Sequence, residues 1–308
     1  MGVFVLGITG GSGFVGTSLI KLIQERNISY RSFVRKPCPN QSSYTVGDIS
    51  ADTNWHEGLS KISVLIHLAS VAHGNAQSVL DYEKVNFLGT LNLAIQAAEA
   101  GVKRFIFISS IGVLGNSSFN EKFTEESIPN PNNHYTKSKF EAEKALLELS
   151  LSTNMEVVII RPPLVYGKKA PGNFGLLQKL VGYFPILPFG SINNKRNVIS
   201  VDNLVDFILV CAYHPKASNK TFLIAESEPL SIKDITNNIA EAKNKKIIQL
   251  PVPKWLMIYI GKLLGQSSLV EQIIGNLEID STLANTTLNW KQKYTMRESL
   301  LVDEKVNK

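Results

Sequence analysis

Val3-Phe-Val-Leu-Gly-Ile8 runs straight into Thr9-Gly10-Gly11-Ser12-Gly13-Phe14-Val15-Gly16, and Leu19, Ile20, Leu22 and Ile23 follow at helical spacing. The unbroken apolar run reads as a buried strand and the spaced one as the inner face of a helix. Between them, Gly10 permits a tight turn, Gly13 lets the backbone approach a pyrophosphate, and Gly16 lets the helix pack closely on the strand. The phosphates would sit at the helix N-terminus, where free N–H groups and the helix dipole attract an anion. The pattern Thr-Gly-x-x-Gly-x-x-Gly has one more residue between its first two glycines than Gly-x-Gly-x-x-Gly has.

Beyond this turn, strand-like runs at 30–34, 44–47, 64–68, 104–108 and 156–160 alternate with helical patterns at 14–26, 79–100 and 134–151. Such alternation predicts an α/β fold, a Rossmann-type doubly wound parallel sheet. After Arg161 the alternation loosens: Pro162, Pro163, Pro171, Pro185 and Pro188 share one loop-rich stretch, and 225–308 reads as mostly helical. The expected organisation is a nucleotide-binding domain over 1–163, rejoined by a return segment at about 197–224. A smaller, mostly helical C-terminal substrate lobe would comprise 164–196 and 225–308.

The 308 residues, 44% of them hydrophobic, suffice for this arrangement. The net charge of +6 is diffuse, and no aromatic platform accompanies the lysine clusters, so no nucleic-acid partner is expected. Two cysteines without a CxxC exclude a disulfide framework, and the five histidines show no metal-ligand spacing, so no metal is expected. His67, ending an apolar run, reads as a hydrogen-bonded core residue. No apolar run is long enough for a membrane span, and the start Met1-Gly-Val-Phe lacks a charged leader, which predicts a cytoplasmic protein. Pro253 to Leu264 is the most apolar helix; lobe core or a dimer surface is the expected use, ahead of membrane docking.

Tyr135-Thr-Lys-Ser-Lys139 places a phenol and an ammonium four residues apart, on one face of the predicted 134–151 helix. A nearby Lys⁺ favours phenolate and would lower the Tyr pKa toward the range useful for proton transfer. Ser110 closes the 104–108 strand and Asn86 lies in Val85-Asn86-Phe-Leu-Gly89-Thr90. Ligands bind at the carboxyl ends of strands in such sheets, which places Ser110 where a nicotinamide would lie.

Thr9 to Gly16, Asn86, Ser110, Tyr135/Lys139 and Arg161-Pro-Pro-Leu-Val-Tyr-Gly167 together resemble the extended short-chain dehydrogenase/reductase family, in its branch acting on nucleotide sugars. The resemblance runs from the first strand almost to the C-terminus. It implies that Tyr135 is the acid/base on the reacting sugar oxygen, that Lys139 depresses its pKa and holds the nicotinamide ribose, that Ser110 bonds the same oxygen, and that Asn86 supports Lys139 through a water. Gly10, Gly13, Phe14, Val15, Gly16, Arg35, Asp48, Ile49, Leu68, Ala69 and Pro162, with Tyr135 and Lys139, are the expected cofactor contacts, Asp48 on the adenine amino group. The second strand ends in Val34-Arg35-Lys36 with no carboxylate, so Arg35, with Lys36 or Arg31, suits a 2′-phosphate and gives NADP(H) a slight preference over NAD(H). Arg196 is the expected grip on the diphosphate of a UDP-sugar, and Asn173 a second contact, on that diphosphate or the uridine.

Leu164, where UDP-galactose 4-epimerases carry Asn, and Gly275-Asn-Leu-Glu278, where they carry Arg-x-Gly-Asp, depart from the epimerase pattern. Ser110-Ile-Gly-Val and Gly172-Asn-Phe look more like a subgroup that includes UDP-4-keto-6-deoxy-N-acetylhexosamine reductases, so the resemblance implies reduction of such a 4-keto-sugar for surface polysaccharide. UDP-sugar 4-epimerisation is the alternative, and a non-catalytic NADP-sensing protein of the same fold a more remote one. The resemblance also implies a homodimer through a four-helix bundle of the helices at 79–100 and 134–151.

Overall fold

The computed structural model describes residues 4–38, 42–71, 78–118 and 121–305, so Val3 of the first predicted strand lies outside the described residues. β1 (Leu6–Thr9) is followed by α1 (Phe14–Glu25), β2 (Tyr30–Val34), β3 (Ser43–Thr45), the short α2 (His56–Leu59) and β4 (Val64–His67). Next come α3 (Val79–Asp81), a π-helical segment at Tyr82–Gly89, α4 (Thr90–Glu99), β5 (Arg104–Ile108) and, past a 3₁₀ turn at Ile111–Val113, α5 (His134–Ser152). β6 (Glu156–Arg161) and β7 (Leu164–Tyr166) lead to α6 (Gly172–Tyr183), β8 (Ile186–Leu187), β9 (Val198–Ser200), α7 (Val201–Tyr213) and β10 (Lys220–Leu223). The chain continues through α8 (Ile232–Ala242), β11 (Ile248–Gln249), α9 (Lys254–Leu263), α10 (Ser267–Ile274), α11 (Thr282–Leu288) and α12 (Met296–Lys305).

Seven strands pair in parallel in the order β10-β6-β5-β4-β1-β2-β3. Every residue of β1 and β4 is buried, because helices cover both faces of a parallel sheet and its strands then read as continuous apolar runs. Successive side chains point to opposite faces. Leu6, Ile8 and Ile66 join α1 and α7 in one core, whereas Leu65, Phe105 and Phe107 join α4 and α5 in the other. A third core, including Phe174, Leu177, Ile235, Ile239 and Leu300, binds α6 to α8 and α12. Among the described residues no helix is long and apolar enough to cross a membrane.

The predicted 79–100 helix is interrupted: a π-helical stretch separates α3 from α4 and carries Asn86 into the interior. Such segments re-aim side chains at functional sites. The 198–213 stretch returns by α7 packing on the α1 side of the sheet, while β9 pairs with β7 in a separate two-stranded sheet and β10 supplies the edge strand.

Gly10 adopts φ +70°, and a Cβ there would sit 2.6 Å from the Ala69 amide nitrogen. At Gly16 a Cβ would lie 2.2 Å from the Gly10 carbonyl oxygen, a backbone atom with nowhere to go. Gly16→Ala is therefore expected to push α1 off the turn, costing about 1–3 kcal/mol in urea unfolding and abolishing dinucleotide binding. Unchanged binding in a calorimetric titration would show that the turn does not hold the cofactor.

Candidate active site

The residues expected around a dinucleotide gather at the carboxyl ends of the central strands. α1 opens after Gly13 with no side chain capping its first turn, so backbone N–H groups of Phe14, Val15 and Gly16 face the cleft mouth as anion donors. The Leu68 amide donates to the Thr9 carbonyl at 3.3 Å and the Ala69 amide to Thr9 Oγ1 at 3.3 Å, bringing the end of β4 against the glycine turn. Ile49 packs where a Gly89 Cβ would lie, and the Pro162 carbonyl accepts from the Ile111 amide at 2.9 Å. A cleft of about 790 Å³ starts at Ser12–Phe14 but runs outward between α1 and α7 to Asp206 and Lys293, and neither Ser110 nor Tyr135 lines it. Glycines whose Cβ atoms would clash, beside uncapped helix amides, fit a bound dinucleotide.

Arg35 at the end of β2 is exposed, with Nε 3.6 Å from Asp48 Oδ1. The carboxylate missing from the second strand thus arrives from beyond β3. Arg31 points elsewhere, donating to the carbonyls of Gly58 at 2.5 Å and Ser60 at 3.0 Å, which removes it as a candidate for a 2′-phosphate.

Asn133 caps α5, its Oδ1 accepting from the Thr136 amide at 2.9 Å. This sets Tyr135 in the first turn and Lys139 one turn on. Lys139 is buried, its Nζ donating to the Ile108 carbonyl at 2.9 Å and lying 4.6 Å from the Phe107 ring centre. Burial lowers its pKa to about 7, against an opposing pull from Glu143. For Tyr135, burial and then the neighbouring Tyr82 push the phenol up to about 12, with a hydrogen bond to Ser70 acting the other way. This reverses the expectation that Lys139 depresses the phenol's pKa. Among the chain's own groups burial outweighs charge, and the ammonium is spent on the Ile108 carbonyl.

Asn86 is buried and its four hydrogen-bonding positions are filled within the chain. Its Oδ1 accepts from Ser70 Oγ at 3.0 Å and the Val71 amide at 2.8 Å, and its Nδ2 donates to the Val71 carbonyl at 3.1 Å and Ser138 Oγ at 3.2 Å. Its side chain thus ties the loop after β4 directly to α5. Ser110 Oγ caps the 3₁₀ turn by accepting from the Gly112 amide at 3.1 Å, which leaves its O–H to donate.

His67 sits between Thr9 Oγ1, 2.7 Å from Nδ1, and Thr90 Oγ1, 2.9 Å from Nε2, as a buried core residue. Burial, helped by the Lys139 charge, holds its pKa down to about 3. The folded ring stays neutral while the unfolded one protonates below about 6.5, so stability is full above that pH and is lost as pH falls toward 3. The unfolding free energy from urea titrations should fall by at most about 1.4 kcal/mol per pH unit in that window, and His67→Gln should remove this slope. An unchanged slope would assign the acid sensitivity to other groups.

Arg196 is half-buried in the bridge between Leu230 and Leu277, with Nη1 donating to the Gly275 carbonyl at 3.0 Å. Burial lowers its pKa to about 10, which leaves it charged at neutral pH, and among the described residues no carboxylate pairs with it. Asn173 is exposed in the first turn of α6, on a different element, and no hydrogen bond joins the two. A second cleft, about 730 Å³, is bounded by Leu114–Ser117 after Ser110 and by Asn130 and Asn132 before Tyr135.

Ser70, Ser138 and Glu143 belong to the site but escape sequence reasoning. Ser70 alone had a local signal, its position just past the carboxyl end of β4. Glu143 is joined to Arg161 by two hydrogen bonds, Nε to Oε1 at 3.0 Å and Nη2 to Oε2 at 2.6 Å.

Known proteins share this organisation. The chain is 42% identical over 300 residues to a UDP-glucose 4-epimerase of Vibrio cholerae, covering 94% of this chain and 92% of that protein. It is 28% identical over 256 residues to an N-acetyl-α-D-glucosaminyl-diphospho-ditrans,octacis-undecaprenol 4-epimerase of Escherichia coli O157:H7, covering 80% and 74%. The crystal structure of UDP-N-acetylglucosamine 4-epimerase from Bacillus cereus superposes with a TM-score of 0.79 at 18% identity, covering 98% of this chain and 96% of that one, a likeness of fold. The sequence pattern of one family spans residues 6–225, from β1 through β10, and so takes in the glycine turn, Asn86, Ser110 and the Tyr135/Lys139 pair. This chain belongs to the NAD dependent epimerase/dehydratase family.

Proposed function

We propose that the chain is a 4-epimerase acting on a sugar carried on a diphosphate, a UDP-sugar in the first instance. The observation that carries this reading is the 42% identity along 94% of the chain with a protein named UDP-glucose 4-epimerase. It displaces reduction of a 4-keto-sugar as the first reading. Leu164 and Gly275–Glu278 depart from one epimerase pattern, yet a relative 42% identical along 94% of the chain carries the epimerase name. In this chain Leu164 is a strand residue opposite Val198, and Gly275 acts through its backbone carbonyl.

In this reading Tyr135 takes the proton of the C4 hydroxyl, and returns it after the keto-sugar has presented its other face. Ser110 donates to the same oxygen, and Lys139 lies one turn along α5 to hold ribose hydroxyls. When bound, oxidised NAD supplies a hydride acceptor at C4 and a positive ring charge that favours phenolate. Arg196, cationic and lacking a carboxylate partner among the described residues, suits the diphosphate, with Asn173 as a second contact. The Rossmann portion is assigned to 1–163 and about 197–224, and the substrate lobe to the remainder. A dimer through α4 and α5 is supported by exposed Ile95, Leu147 and Leu151 on those helices.

The assay is interconversion of UDP-glucose with UDP-galactose and of the N-acetylated pair. Interconversion without net use of NAD(P)H is expected. Stoichiometric NAD(P)H consumption with a UDP-4-keto-6-deoxy sugar, and no interconversion, would restore the reductase.

The preference for NADP(H) rests on Arg35, which would release Asp48 to grip a 2′-phosphate. Arg35→Ala should then weaken NADP(H) binding about tenfold and leave NAD(H) unchanged, since a charge-assisted hydrogen bond contributes roughly 1.5–3 kcal/mol. Equal effects on both cofactors in a binding titration would place Arg35 away from the 2′ position.

A further inference from the structure

The end of α6, the β8/β11 pair and α9 present an apolar surface left open by the described chain. Ile186 and Ile248 lie side by side in register, both exposed, and Leu250 to Pro253 lead directly into α9. On its inner side α9 sets Met257 and Ile258 against the third core, with Gly261 tight on Val270. On its outer side Trp255, Tyr259 and Leu263, at i, i+4 and i+8, are 68%, 57% and 69% exposed. A water-facing helix is polar on its outer side, and α9 is apolar there too. Contiguous apolar surface of this kind marks a binding site rather than a neutral face.

Charge identifies the occupant. Residues 243–266 hold Lys243, Lys245, Lys246, Lys254 and Lys262 and no Asp or Glu. Lys262 falls within the outer stripe, three residues from Tyr259 and seven from Trp255. Lys243 Nζ donates to the Gln178 carbonyl at 2.8 Å and Lys245 Nζ to the Gly182 carbonyl, which holds two ammonium groups beside the exposed rings of Tyr183 and Phe184.

We propose that this surface docks on an anionic phospholipid bilayer, with α9 lying in the plane of the headgroups. Tryptophan and tyrosine then sit at the interface, leucine reaches the acyl boundary, and lysine stems extend to the phosphates. A second copy of the chain suits the patch poorly, because a two-fold contact would face this lysine-only segment with itself. The inference is independent of the epimerase reading, and turnover of a soluble sugar nucleotide is its internal control.

The test is co-sedimentation of the full chain with vesicles of phosphatidylcholine alone or mixed with phosphatidylglycerol. Trp55 and Trp290 are buried, so a blue shift of tryptophan emission reports on Trp255. Sedimentation and a blue shift are expected with the mixed vesicles only, fading as salt screens the charges. Leu263→Glu and the pair Lys246→Glu/Lys262→Glu should each weaken partitioning about tenfold while melting and turnover stay as in the parent. If Leu263→Glu fails to fold, the lysine pair decides.

Absence of sedimentation at low salt, equal binding to both vesicle types, or binding untouched by the lysine pair would overturn the proposal. So would a blue shift that grows with protein concentration without vesicles, accompanied by a dimer in sedimentation velocity that Leu263→Glu abolishes.

Discussion

Tyr135→Phe is expected to leave a folded protein that binds cofactor as before and turns over its sugar substrate about 10²- to 10⁴-fold more slowly, the usual contribution of a positioned acid/base. The ring remains to pack against Tyr82, 6.3 Å away between centres, so the change removes the hydroxyl and little else. The loss should fall on kcat more than on KM, since the proton moves only during reaction. Burial and Tyr82 hold this phenol near 12 among the protein's own groups, so the proton leaves only when a bound cation favours phenolate. Turnover within about twofold of the parent would exclude Tyr135 as the acid/base, because even a weak one contributes on the order of a hundredfold.

Arg161→Met should produce the largest loss of stability, about 3–5 kcal/mol in urea unfolding, because it strands a buried carboxylate. Glu143 is 1% exposed and Arg161 7%, and Glu143 follows Lys139 by one turn of α5. Glu143 also opposes the fall of the Lys139 pKa. Arg161→Met/Glu143→Met should recover most of the stability, since an apolar pair replaces a desolvated ionic one. The same double variant should lose turnover at neutral pH, its lysine deprotonating below about 7 once the carboxylate is gone. A single-variant loss under about 1 kcal/mol would mean that water reaches the pair, as in surface ion pairs.

These two sites mark different depths of legibility. The Tyr135/Lys139 register followed from local spacing and from an α5 whose cap, Asn133, lies two residues upstream. The Arg161–Glu143 pair joins a strand to a helix 18 residues apart and left no local trace. The same holds for the Thr9–His67 bond, 58 residues apart, and Asn86–Ser138, 52 apart. The direction of the Tyr135 and Lys139 pKa shifts was likewise hidden, because spacing reports that two groups are near and says nothing of how much water they lose. The reductase reading leaned on short motif departures at Leu164 and Gly275–Glu278, where strand pairing and a backbone carbonyl, rather than the missing side chains, do the work.

By itself the amino-acid sequence determined the parallel sheet, the glycine turn with its helix, and the setting of Tyr135 and Lys139 one turn apart on α5, because each depends on periodicity or on backbone freedom over a few residues. Only the tertiary structure decided that Arg31 turns away from the cofactor end of β2, that Asp48 reaches Arg35 and that Asn86 is fully engaged by the 70–71 loop and Ser138. It also showed that the outer face of α9 remains open. Each of these is a competition for a hydrogen bond, an ion pair or apolar cover among groups distant in the chain, and its winner is set by which partners folding brings within about 3–4 Å.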